Sequence, residues 1–289
     1  MTKTLVLQSA PAQRAQWLVA CLASVKAWAT QAGYAFLFIG DELFDQVPDW
    51  YMLKVAGRMP IASDLGRLLW IKQLLDQGEA DTVVWLDADV LVFAPSLLTI
   101  EPVSSCVFGQ ELWIQKNILK AAQKDREQPQ SQKGTWQAHK NVHNALAAFS
   151  KDCPVLPFLI EVIQRMMKRV DANFIAPQMM GPKLLSNLHN LADFELMPSV
   201  GALSPDVILD LARDSAEAPA GNEELAAGNF QGVGQSALQA LLAKQSEPLL
   251  AANLCASLVG DFSADAQAQE DLMMAVIAEL NAHPQGLAL

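Results

Sequence analysis

The segment Val83-Val84-Trp85-Leu86-Asp87-Ala88-Asp89-Val90 constrains the fold more than any other stretch, because an apolar run ending in two carboxylates has few homes. A strand with one face in water alternates apolar and polar residues, whereas an unalternated run suits a central strand covered on both faces. The segment therefore reads as a buried strand with Asp87 and Asp89 at its carboxyl end. Side chains two apart on extended backbone share a face, so both carboxylates are expected to converge on one ligand. Upstream, Thr4–Gln8 reads as a strand, and Ala12–Gln31 sets Trp17, Leu18, Cys21, Leu22, Val25 and Trp28 at helical spacing. Gly33 ends that helix, and Tyr34–Ile39 reads as a second strand. Strand, helix, strand predicts a parallel βαβ unit, hence an α/β fold with a mostly parallel central sheet flanked by helices.

Further along, Ser63 is expected to cap a helix running to Gly78, with Asp64 and Arg67 in its first turn. Ser105–Gly109 and Phe194–Met197 read as strands; Val155–Val170, Lys183–Leu191, Ser236–Ala243 and Gln267–Ala282 read as helices. Residues 116–140 include a nearly apolar-free stretch, Gln123–Gly134, expected to be a mobile surface loop, a solvated excursion sooner than a lid, and Asp214–Gln235 is expected to be irregular. The 289 residues, 52% of them hydrophobic, are enough for one large domain with a packed core, and no internal repeat or linker divides them.

Charge narrows the partners. With 31 acidic and 20 basic side chains, the formal charge of -11 repels nucleic acid and anionic lipid. A diphosphate would be repelled too unless a cation neutralised it. The opening apolar run, Leu5-Val6-Leu7, is far shorter than the ~7–15 residues of a secretion signal, and no stretch reaches the ~18 apolar residues of a membrane span, so a cytoplasmic protein is expected. Cys21, Cys106, Cys153 and Cys255 are scattered and read as buried free thiols. His139 and His143, four apart, read as a polar helix end rather than a metal pair, since no Glu follows His139. Among Trp17, Trp50, Trp70, Trp85, Trp113 and Trp136, Trp50 is taken as the candidate for contact with a bound base. Neither a Gly-x-Gly-x-x-Gly nor a phosphate-binding Gly-x-x-x-x-Gly-Lys loop is present, which removes the common nicotinamide and ATP readings.

Two hard carboxylate oxygens suit Mg²⁺ or Mn²⁺, which bridges diphosphates. Asp64 and Arg67, at i and i+3, share a helix face, and the arginine offers a fixed positive fork.

Ala62-Ser63-Asp64-Leu65-Gly66-Arg67-Leu68-Leu69, followed at a similar interval by the Asp87-Ala88-Asp89 strand, resembles the GT-A-fold, Asp-x-Asp sugar transferases that include capsular and mannosyl-type enzymes and the glucosylating domains of large clostridial toxins. Weaker likeness extends through Cys21–Tyr51, Asn144–Phe149 and Gly181-Pro182-Lys183-Leu184-Leu185. The resemblance implies a single GT-A-like domain, with a nucleotide-sugar-binding half at residues 1–110 and an acceptor-side half at 140–289. It implies a nucleotide-sugar donor, UDP- or GDP-linked, a glycan or other hydroxyl acceptor, and retention of anomeric configuration. Asp64 and Arg67 would be catalytic and hold the donor sugar and phosphate. Asp87 would bind the ribose or sugar and share the metal with Asp89, while Gln8, Asn144 and Gly181 would lie on the substrate side. The family's last metal ligand falls at Asn253, where a neutral amide oxygen replaces a charged group and Leu258 replaces a tryptophan; Asp261 is an alternative ligand. Two other readings stand beside this one. Asp87 and Asp89 could be the nucleophile and acid/base of a haloacid dehalogenase-type phosphohydrolase, although Leu91 and the preceding βαβ unit fit that motif poorly. The chain could also be a catalytically degenerate nucleotide-sugar-binding protein.

Overall fold

A computed structural model describes residues 2–116, 136–192, 194–215 and 235–288. Strands β1 (Thr4–Ser9), β2 (Ala35–Ile39), β3 (Thr82–Leu86), β5 (Cys106–Lys116), β6 (Trp136–Ser150) and β7 (Glu195–Met197) form one sheet in the order β2-β1-β3-β6-β5-β7. Its pairs are parallel except for those of β6, which runs against both β3 and β5. The expected α/β class, with a mostly parallel sheet between helices, is what forms. A small second sheet, β4-β9-β8, joins Val90–Val92, Ala251–Asn253 and Val200–Ala202.

Residue parity in the central strands decides what meets what. Leu5, Leu7, Val83 and Trp85 point to one face, where they are covered by α2 (Asp49–Val55), α3 (Met59–Asp76), α4 (Val155–Arg169) and α5 (Pro182–Ala192). Val6, Val84 and Leu86 point to the other, onto α1 (Gln16–Gln31) and the small sheet. Helices α6 (Pro205–Asp214), α7 (Ala237–Leu242) and α8 (Ala266–Asn281) bury a further apolar cluster with the start of α1. Every residue of β3 is buried, as its unalternated sequence requires. From β1 the chain crosses α1 to β2 on one side; from β2 it returns by α2 and α3 to β3 on the other. Between β1 and β3 the order therefore reverses, and open α/β sheets take ligands at the carboxyl ends of strands flanking such a point.

The structure moves several expected boundaries. The apolar strand stops at Leu86; Asp87–Val90 is a tight turn closed by the Val90 N–H donating to the Asp87 carbonyl at 3.1 Å. Asp87 and Asp89 thus sit on a turn, not on one strand face. Helix α3 begins at Met59 with Pro60 in its first turn, a position proline favours because its missing N–H would have no partner there, so Asp64 and Arg67 lie inside the helix. Ser63 caps nothing; its hydroxyl donates to the Pro60 carbonyl at 2.9 Å. Helix α1 starts at Gln16 rather than Ala12, and helices Asp49–Val55 and Pro205–Asp214 were not expected. Of the supposed loop 116–140, Lys116 ends β5 and residues 136–140 open β6; the rest, like most of 214–235, lies outside the described residues. His139 and His143 are on that strand, not on a helix. No helix among the described residues is long and apolar enough to cross a membrane.

The two sheets are joined at His143. Its ring is buried, and Nε2 lies 2.9 Å from the Val200 carbonyl, which as an acceptor assigns the ring proton to Nε2. Burial lowers the pKa of this imidazole and keeps it neutral. A Cβ on Gly109, across the ladder, would fall 2.1 Å from that Nε2, so only glycine fits there.

Candidate functional site

The site is built where β3, α3 and β6 meet. Asp87 follows Trp85 by two residues, so its side chain falls on the face covered by α3. There Asp87 Oδ1 accepts from Arg67 Nη1 at 2.8 Å and from the Trp85 indole N–H at 2.6 Å. Its main chain is held as well, by its own N–H donating to the Ala145 carbonyl at 2.9 Å and by Gln8 Nε2 donating to its carbonyl at 3.2 Å.

Arg67 is the hub. Nη1 also donates to the Asn144 carbonyl at 2.7 Å, Nε donates to the Ser63 carbonyl at 3.1 Å, and Nη2 lies 3.6 Å from Asp64 Oδ1. The guanidinium stands over the Trp85 ring, 5.1 Å from its centroid. Its side chain is only 7% exposed, so its donors serve protein oxygens. Asp64 Oδ1 accepts from Asn144 Nδ2 at 2.8 Å. Burial pushes the Asp64 carboxyl up to about 6, against the lowering effects of Arg67 and the Asn144 hydrogen bond. Gly181 backs this cluster closely: a Cβ there would lie 2.7 Å from Asp64 Oδ1 and 2.9 Å from Asn144 Nδ2.

Asn144 reaches Asp64 because the β5–β6 ladder is irregular. Gly109 pairs with His143 and Phe108 with Ala147, leaving Asn144, Ala145 and Leu146 without partners on β5. Such a bulge re-aims side chains, and here it serves Arg67 and Asp64.

Asp89 belongs to a second cluster, made by the small sheet. Strand pairing sets Val90 opposite Asn253, which brings the residue before Val90 against the chain leaving β9. Asp89 Oδ1 accepts from Asn253 Nδ2 at 2.7 Å, Oδ2 accepts from the Ala256 N–H at 2.8 Å, and its carbonyl accepts from the Leu254 N–H at 2.9 Å. The Asn253 amide is not free to flip, because its Oδ1 accepts from the Cys255 N–H at 2.7 Å. Loss of hydration and the nearby Asp87 charge push the Asp89 carboxyl up; the Ala256 N–H and Asn253 amide oppose that rise. Cys255, expected to be buried, is half-buried in the left-handed region at φ 52°.

The expected residues therefore divide. Asp64, Arg67, Asp87, Asn144, Gly181 and Gln8 are brought together, and Asp89 and Asn253 adjoin them. Trp50 is placed elsewhere: its ring meets Tyr51 edge-on, and Lys168 of α4 stands 5.3 Å from its centroid. Asp261 is exposed at the end of the turn after β9, and among the described residues no trio of His, Cys, Asp or Glu is arranged to hold a metal ion. Trp85 is the tryptophan that serves the site, and its place two residues before Asp87 was the available signal. The Ala256 N–H left no trace in the sequence, since any residue but proline supplies one.

A cation nevertheless fits the Asp87–Asp89 turn. Asp87 has a second carboxylate oxygen beyond the one engaged by Arg67 and Trp85, its side chain is 25% exposed, and its charge adds to the burial that raises the Asp89 carboxyl. Mg²⁺ and Mn²⁺ are commonly held by one or two carboxylates with phosphate oxygens completing the shell.

No family model and no curated protein matches this chain. Among solved structures, a glycosyltransferase involved in the glycosylation of the major capsid of PBCV-1 aligns with 94% of this chain and 99% of its own, at 10% identity and a TM-score of 0.41. The protein A197 from STIV aligns with 65% of this chain and 78% of its own, at 11% identity and a TM-score of 0.25.

Proposed function

We propose that the protein is a GT-A-like glycosyltransferase that moves a sugar from a nucleotide-sugar to an acceptor hydroxyl. The observation that carries this reading is the convergence of Asp64, Arg67, Asp87 and Asn144 at the carboxyl end of β3, beside the point where strand order reverses. Carboxylates held rigidly by an arginine accept hydrogen bonds from sugar hydroxyls without rearranging, and Asp87 is the member with exposed surface. Arg67 acts as a positioning residue for Asp64 and Asp87 rather than as a phosphate clamp, because its N–H groups are directed at protein oxygens. In a chain of net charge -11, a diphosphate beside Asp87 and Asp89 then needs a cation. Mn²⁺ or Mg²⁺ at these carboxylates would supply that charge and Lewis acidity toward the departing diphosphate.

The phosphohydrolase reading is disfavoured because a full parallel βαβ unit, β1–α1–β2, precedes the strand that ends at Asp87, whereas that motif normally opens its domain. The deciding experiment is a panel of UDP- and GDP-sugars assayed for nucleotide release with and without Mn²⁺, beside Asp89→Ala. Cation-dependent release that the substitution abolishes is expected. Binding of no donor, or turnover untouched by Asp89→Ala, would overturn the proposal; binding without turnover would leave a nucleotide-sugar-binding protein. Retention, carried over from the family resemblance, is read from the anomeric NMR signals of the product.

A further inference from the structure

Asn253 stands beside the Asp87–Asp89 turn, but it presents the wrong atom for a cation. The amide oxygen is committed to the Cys255 N–H at 2.7 Å, and that backbone donor fixes which end of the amide faces Asp89. The end facing Asp89 is the NH₂ group, 2.7 Å from Oδ1. A second N–H, from Ala256, takes Oδ2 at 2.8 Å. Each carboxylate oxygen thus spends a lone pair on a neutral donor, and no third His, Cys, Asp or Glu among the described residues completes a shell. Cys255, in left-handed backbone between Asn253 and Ala256, turns the chain so that its own N–H meets the Asn253 oxygen while the Ala256 N–H meets Asp89.

We propose that Asn253 is a hydrogen-bond donor holding Asp89 and not a metal ligand, so that the chain takes up a divalent cation only together with a diphosphate. This rests on the transferase reading above and adds an order of assembly to it. Two carboxylates partly satisfied by N–H groups offer a bare cation too little negative charge to replace its water, whereas a cation that already shares phosphate oxygens needs only the two carboxylates. Binding of cation and diphosphate is then mutually reinforcing, and linkage requires each to tighten the other equally. Asn253 also becomes the position that sets cation affinity: an aspartate there would exchange a donor for a charged acceptor.

Mn²⁺ binding followed by electron paramagnetic resonance tests this without reference to turnover. Wild-type protein is titrated with Mn²⁺ alone and with Mn²⁺ plus each of a panel of nucleoside diphosphates; Asn253→Asp is titrated with Mn²⁺ alone. Expected are weak binding of Mn²⁺ alone, binding ~10-fold or more tighter with a matching diphosphate, and ~10-fold or more tighter binding of Mn²⁺ alone by Asn253→Asp. Wild-type affinity for Mn²⁺ alone that equals its affinity with diphosphate would overturn the inference while leaving the transferase reading intact. Failure of wild-type protein to bind Mn²⁺ with any diphosphate would overturn both. If Asn253→Asp does not fold, the two wild-type titrations decide alone.

Discussion

The two halves of the candidate site are held by opposite means. At Asp64 and Asp87, full charges meet: one buried guanidinium from α3 serves both carboxylates and a carbonyl of β6. At Asp89, the donors that hold the carboxylate among the described residues are neutral, and come from a strand of three residues and the turn that follows it. A buried arginine locks geometry strongly, because removing it strands the charges around it; neutral N–H groups fix direction while leaving the anion's charge for something else. In the transferase proposed above, the first half would orient the sugar and the second would share a cation with its phosphates.

The sharpest way to break this contrast is Arg67→Met, which leaves Asp64 and Asp87 uncompensated. It should lower unfolding free energy by ~3–5 kcal/mol in urea denaturation; a loss as small as that of a surface pair would show that the guanidinium is not the hub. Next comes Gly181→Ala, whose methyl would meet Asp64 and Asn144 at under 3 Å. It should cost ~1–3 kcal/mol and weaken donor binding, whereas the same change at exposed Gly260, where a Cβ meets nothing within 4 Å, should do neither. Asn253→Ala removes two neutral hydrogen bonds, the one donated to Asp89 and the one accepted from the Cys255 N–H, and should cost ~1–3 kcal/mol. Equal losses for Arg67→Met and Asn253→Ala would erase the distinction between the halves.

The smallest expected effect is a slope with pH. The Asp64 carboxyl is raised from 3.8 to about 6 in the folded protein, so between those values the folded state keeps a proton that the unfolded chain has released. Stability contributed by this group is therefore present at low pH, declines as pH rises through that window, and is flat above it. Asp64→Asn should flatten this part of the stability curve; an unchanged slope would mean the carboxyl is not raised.

Much of this was legible in the sequence, and for one reason. Periodicity is written in neighbouring residues, so the buried β3 strand, the helical face of α1 and the pairing of Asp64 with Arg67 followed from spacing alone. Trp85, a partner of Asp87, was passed over for Trp50, although its place two residues before Asp87 was a usable signal. The sequence was misread where a rule fitted locally but a stronger partner lay far away. Ser63 looked like a cap, yet Pro60 had already started the helix. Helix α1 has no local cap because Glu270 of α8 accepts from the N–H groups of Gln16 at 3.0 Å and Trp17 at 2.6 Å, from the far end of the chain.

By itself, then, the sequence determined the class of fold, the central strand with two carboxylates following it, and the shared helix face of Asp64 and Arg67, because each depends on interactions within a few residues. Only the tertiary structure decided that Arg67 turns inward, that the β6 bulge carries Asn144 to Asp64, and that Asn253 offers Asp89 its N–H rather than its oxygen. Those outcomes follow from strand register, and register is set by packing between segments far apart in the chain.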